Sequence, residues 1–267
     1  MPAIDLARLK TQAARLADRF GEPEVFVSDL QEMLDFYTNH TRRVSQDARR
    51  LSLPTYHTPT PVLRQIEREL DPLAESRPLE AVILVNALWK VATLESRLLA
   101  ARLLGRIPPV QAISALTRLP DWLAVSADHQ VRQALLTDSF LRVRQENPQA
   151  LFLLLEDWLA SPRLGYQVWG LQALVPLVKT PGFEDLPSAF RIARPAFLAA
   201  GPNSQLELQA CLMALERVSL TETLAFLREL LKTDPPAMLL RTLRRILPGL
   251  SPELQSALRD SLRGKGA

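Results

Sequence analysis

One cysteine, Cys211, excludes an intrachain disulfide and any zinc site built on several thiolates. It lies in the apolar run Leu208-Gln209-Ala210-Cys211-Leu212, the setting of a small core residue. The three histidines, His40, His57 and His129, are too scattered for a structural metal centre, so neither metal nor cofactor is expected. Nine glycines in 267 residues leave no flexible linker, and one domain spanning 1–267 is expected. No apolar run approaches the ~20 residues that a bilayer crossing requires. The amino terminus mixes Asp5, Arg8 and Lys10 with apolar residues, unlike a signal peptide. A cytoplasmic chain without membrane contact is the expectation. The sequence also lacks a phosphate-cradling glycine loop, a dinucleotide fingerprint, a serine elbow and an HExxH pair, so the common cofactor and hydrolase classes have no support. Lysine is scarce, five against twenty-seven arginines, within a net charge of only +3. Arginine grips phosphate in a bidentate fork that lysine lacks, yet so small a balance neither demands nor forbids nucleic acid.

What is present is helical periodicity. The hydrophobic share of 47% against 23% charged residues is that of a folded chain. Leu208, Cys211, Leu212, Leu215 and Val218 fall on one helical face, as do Leu220, Leu224, Leu227 and Leu231, and again Leu239, Leu243, Ile246 and Leu250. No stretch alternates with period two, so the expected class is all-α. Many of the 21 prolines punctuate. Thr60-Pro61 and Ser251-Pro252 have the form of an N-cap followed by a first-turn proline. Pro148, Pro162, Pro181 and Pro202 separate successive helical runs, while Pro176, Pro187 and Pro195 lie nearer helix interiors and should kink or split them. The spacing predicts about a dozen or more helices in two-helix units of roughly 30–45 residues. Such pairs stack into a curved solenoid with a concave binding face. Within it, residues 1–54 form a divergent beginning, 55–217 a central block and 218–267 the closing helices.

The central block carries an ordered set of motifs. Thr60-Pro61-Val62-Leu63-Arg64-Gln65-Ile66 is followed by Ala87-Leu88-Trp89 through Glu95-Ser96-Arg97-Leu98-Leu99-Ala100-Ala101. Asp121-Trp122 and Asp128 then lead to Asp157-Trp158-Leu159-Ala160-Ser161. In this order the chain resembles the HEAT-like DNA alkylation repair family, the bacterial alkylpurine DNA glycosylases of AlkD type. The resemblance implies a HEAT-like solenoid holding double-stranded DNA, alkylated or not, and release of N3- or N7-alkylated purines through backbone contacts without base flipping. A cationic purine leaves readily; the developing oxocarbenium ion needs one preorganised carboxylate and a positioned water. The resemblance assigns that carboxylate to Asp128, with Asp121 second, and places Trp122 against the sugar-phosphate near the lesion. Asp128 equally suits the start of a helix Ala127–Glu146, where its charge favours the dipole and Arg132 one turn later can pair with it. Trp122 equally suits a helix-packing anchor. Trp89 and Trp158 read as core residues.

Other positions depart from that pattern. Trp169 stands where the family carries an arginine that supports the site, and Met213 replaces an aromatic. Glu216 replaces an arginine with the opposite charge, which repels phosphate. Arg42 and Arg43, with Arg49 and Arg50, precede the block, and Arg241, Arg244 and Arg245 form a stripe opposite Leu239, Leu243 and Ile246. On a concave face these arginines bind DNA phosphates; on an outer face they are simply solvated. The departures frame a second expectation, a non-catalytic HEAT-like scaffold that binds protein or DNA. Its mark is a concave face of mixed or apolar potential without a continuous basic stripe.

Overall fold

The computed structural model describes residues 5–38, 53–232 and 234–263. In chain order its helices are α1 (Leu6–Asp18), α2 (Pro23–Phe36), α3 (Thr60–Ser76), α4 (Pro78–Lys90), α5 (Leu94–Leu104), α6 (Pro109–Leu116), α7 (Leu119–Val125), α8 (His129–Thr137) and α9 (Leu141–Glu146). These are followed by α10 (Pro148–Ala160), α11 (Leu164–Val178), α12 (Leu186–Leu198), α13 (Gln205–Val218), α14 (Leu220–Lys232), α15 (Ala237–Ile246) and α16 (Pro252–Arg263). The all-helical expectation holds: no strand occurs among the described residues, and no helix there is long and apolar enough to cross a membrane.

Helix starts follow from side-chain chemistry. Asp5 Oδ1 accepts from Ala7 N at 2.9 Å and Arg8 N at 3.1 Å ahead of α1, and Asp185 accepts from Ser188 N at 3.1 Å ahead of α12. Ser251 caps α16 as its sequence predicts, accepting from Leu254 N at 3.2 Å. Thr60 does not cap α3: Pro59 holds the N-cap position and Thr60 is already helical. Pro187 lies in the first turn of α12, where its missing N–H costs nothing, instead of breaking it. Pro176 and Pro195 lie inside α11 and α12 without dividing them. Each falls close to its helix's carboxyl end, so few backbone bonds follow the one it removes.

The helices up to Asn147 and those from Pro148 onward form two compact units. That division coincides with neither of the boundaries read from the sequence, because Asn147 alone separates α9 from α10 and no linker composition marks the point. In the first unit α1 packs on α3, α3 on α5 and α5 on α8, while α2 packs on α4, α4 on α6 and α6 on α9. The second unit repeats the scheme, with α10, α12, α14 and α16 touching in succession and α11, α13 and α15 likewise. Its core is partly aromatic: Phe226 of α14 stacks on Phe190 at 4.8 Å and meets Phe197 edge-on at 5.4 Å, both from α12. Trp89 and Trp158 are buried, and so are Leu208, Cys211, Leu212 and Leu215 along α13. Val218 at the end of that stripe is exposed. In α14 the buried face is Thr223, Phe226, Leu227, Leu230 and Leu231, rotated from the leucine stripe because Phe226 supplies the larger apolar surface.

The single helix expected over Ala127–Glu146 is two. The chain leaves helical geometry at Asp138–Phe140 to bury Phe140 completely and to let Ser139 Oγ donate to Ala101 O at 3.2 Å. The interruption frees the Thr137 carbonyl, which the Arg144 guanidinium takes up. Gly105, at the end of α5, makes this approach possible: a Cβ there would lie 1.8 Å from Asp138 O, and Gly105 O accepts from Arg142 N at 3.1 Å.

Gly105→Ala should therefore cost about 1–3 kcal/mol, read as a fall in Tm of roughly 2–4 °C per kcal/mol. Gly201→Ala, where nothing lies within 4 Å of the added carbon, should leave Tm unchanged. Burial pushes the Cys211 thiol up to about 12, so thiol reagents that need the thiolate should label it only after unfolding. Rapid labelling of native protein at pH 8 would contradict that placement.

Candidate functional site

In the first unit, α4 ends at Trp89-Lys90 and α5 begins four residues later, while α7 supplies Trp122. The two indoles stack at 4.4 Å between centroids and 11° between planes. Trp122 is only 7% exposed and its carbonyl accepts from Ser126 Oγ at 2.7 Å. The ring expected to lie against a sugar-phosphate is therefore a helix-packing anchor against Trp89. Arg97, on α5, covers Trp89 from its own side, with Cζ 4.6 Å from a Trp89 ring centroid.

Asp128 is the N-cap of α8. Its Oδ1 accepts from Gln130 N at 2.8 Å and Val131 N at 3.2 Å, which holds the carboxylate over the first turn. Arg132 is exposed, and no ion pair joins it to Asp128. Trp122, Asp128 and Arg132 thus follow one another along α7 and α8 in three separate roles: core stack, helix cap and solvated cation. Asp121 lies in the first turn of α7 and is exposed.

A polar cleft of about 300 Å³ opens between α3, α5 and the α8–α9 turn. Arg64, Arg102 and Arg106 face Glu67, Asp71 and Asp138 there, over a floor that includes Leu99 and Leu103. Arg102 pairs with Glu67 and reaches Asp138 Oδ2 at 3.5 Å, and Arg106 pairs with Asp71 Oδ1 at 3.3 Å. Burial pushes the Asp71 carboxyl above its ordinary value, and Arg106 pulls it back. Beyond the cleft, Arg142 bridges Glu75 at 3.1 Å and Glu146 at 2.6 Å. Thr60, Arg64, Glu67, Asp71 and Glu75 recur at helical spacing along α3, so the acidic half of this ladder was readable from the sequence; its arginine partners lie 35 or more residues further along the chain. Arg102 and Arg106 are thus each matched by a carboxylate, whereas no ion pair among the described residues holds Arg64. No cluster of metal-ligating side chains occurs among the described residues.

The remaining candidates belong to the second unit or lie outside the described residues. Trp169 is half-buried on α11 beside Tyr166, at 5.3 Å between centroids. Met213 is 37% exposed on α13. Glu216 accepts a hydrogen bond from Ser251 Oγ and so ties α13 to the cap of α16. Its carboxylate has a structural use that the sequence pattern did not suggest. Arg241, Arg244 and Arg245 are exposed on α15, opposite the buried Leu239, Leu243 and Ile246, as the periodicity predicts. Arg42, Arg43, Arg49 and Arg50 lie outside the described residues.

Compared with known proteins, the chain matches no family model, no curated protein and no solved structure.

If Asp128 serves the fold, Asp128→Ala should cost about 1 kcal/mol, while Asp128→Ser should retain most of that stability. Trp122→Ala should cost about 3–5 kcal/mol. Equilibrium unfolding in urea reads both. A fully stable Trp122→Ala variant would return that indole to a surface role.

Proposed function

We propose that the chain is a non-catalytic helical-repeat scaffold, HEAT-like in its succession of helix pairs, which works in the cytoplasm by holding a protein partner. The observation that carries this reading is the engagement of the expected catalytic set. Asp128 spends one carboxylate oxygen on two backbone amides, and Trp122 is closed into the core against Trp89. Glycosidic cleavage needs a carboxylate aimed at a sugar beside an aromatic surface that can meet DNA, and neither group is offered in that way. Charge adds support: in the α3–α5 cleft each of Arg102 and Arg106 is matched by a carboxylate, and Arg142 beyond it by two. A surface of alternating sign repels a polyanion about as often as it attracts one.

A DNA-binding reading of AlkD type draws on one specific observation, the exposed arginine stripe of α15, at Arg241, Arg244 and Arg245. Arginines on one helix face can follow a phosphate backbone. The same stripe with Arg241→Ala, Arg244→Ala and Arg245→Ala separates the two readings.

Purified full-length protein incubated with methylated duplex DNA should release no methylpurine. Duplex binding at low ionic strength should be weak and indifferent to the triple α15 substitution. Release of methylpurine that Asp128→Asn abolishes, or tight salt-sensitive binding that the triple substitution removes, would overturn the scaffold reading.

A further inference from the structure

The half-buried arginines of the described residues divide unequally. Arg77, Arg102 and Arg142 each meet one or more carboxylates, and Arg144 donates to the Thr137 carbonyl. Arg97 is half-buried as well, yet its side chain has neither ion pair nor hydrogen bond, and its Nε is buried with no acceptor. Its one neighbour of note is the Trp89 ring at 4.6 Å. An aromatic face attracts a cation but accepts none of its five N–H groups. Burial pushes the guanidinium below its ordinary value, and no nearby carboxylate opposes the shift. A partly desolvated charge without a counter-charge is costly, and such groups concentrate where a fold reserves them for a ligand.

We infer that Arg97 is a recognition site for a carboxylate, which docks end-on against its two Nη atoms. Three features define the ligand. Nε is sealed from solvent, whereas the Nη atoms are neither sealed nor hydrogen-bonded, so an oxyanion can approach only at the outer end of the fork. The Trp89–Trp122 stack backs that fork on one side, with Arg97 Cζ 4.6 Å from the Trp89 ring centroid. The charge suits a monoanion. Glu95, two residues back on α5 and 4% exposed, receives Thr55 Oγ1 at 2.8 Å and Thr58 N at 3.3 Å, and its Oε2 has no partner. With the Glu95 carboxylate taken up there, one guanidinium offers a single positive charge and a fork of paired donors, which match a planar carboxylate. The site is separate from the ion-paired cleft and from Asp128, and its failure leaves the scaffold reading untouched.

The test uses the full chain with acetate as probe, chloride at equal ionic strength as control and inorganic phosphate as competitor. It is read from the indole N–H resonances of the four tryptophans. Acetate should shift Trp89 and Trp122 saturably and leave Trp158 and Trp169 in place. Arg97→Met should weaken acetate on the order of tenfold or more, the loss of a charge-assisted contact, and Arg97→Lys should restore part of it. Arg97→Met should also keep or raise Tm, since it removes an uncompensated charge; a retained circular-dichroism couplet from the stacked indoles confirms the fold. Equal shifts at all four indoles, stronger shifts with phosphate than with acetate, or a clear fall in Tm for Arg97→Met without any acetate response would each overturn the assignment. The last would make Arg97 a packing residue.

Discussion

Helices this short do not persist alone in water, because nucleation costs more than a few turns of hydrogen bonds return. The longest here, α3, has 17 residues and the shortest, α9, has six. Every element therefore depends on burying its apolar face against neighbours near it in sequence. Each unit meets that demand in the same way, with contacts between adjacent helices and between alternate ones. The pattern makes the tryptophans intelligible. Trp89 and Trp122 belong to α4 and α7, and stacking their rings fills the space between two helices that no leucine pair would fill as flatly.

Polar groups are placed under the same constraint. Where α3, α5 and the α8–α9 turn approach, long side chains must share a narrow cleft, and like charges there would repel at low dielectric. The arrangement found alternates sign: Glu67 and Asp138 about Arg102, Asp71 beside Arg106, Glu75 and Glu146 about Arg142. Half-exposed pairs of this kind contribute little stability individually, about 0–1 kcal/mol. Their main effect is to offset charge locally, since each of these arginines stands beside a carboxylate.

Arg97 is conspicuous against that background. Arg102 and Arg106 of the cleft are compensated, whereas the arginine resting on the tryptophan stack has its outer nitrogens unused. A rigid platform under an unspent charge reduces the ordering cost of a ligand, which is how a small surface gains affinity.

The sequence by itself determined the helical class, the stripes Leu208–Leu215 and Leu239–Leu250, the cap at Ser251, the core character of Trp89 and Trp158, and the burial of Cys211. These are local matters: period, proline position and cap chemistry act within a turn or two of the chain. The division of Ala127–Glu146 into α8 and α9, the compact break after Asn147, and the partners of Glu216, Trp122 and Arg102 were decided only by tertiary structure. Each depends on a residue from another helix: Ala101 O drawing in Ser139, Ser251 reaching Glu216, Trp89 covering Trp122. Trp122 shows the difference most clearly. Its type and spacing suit both a surface aromatic and a helix-packing anchor, and what separates them is Trp89, which the fold brings against it from another helix.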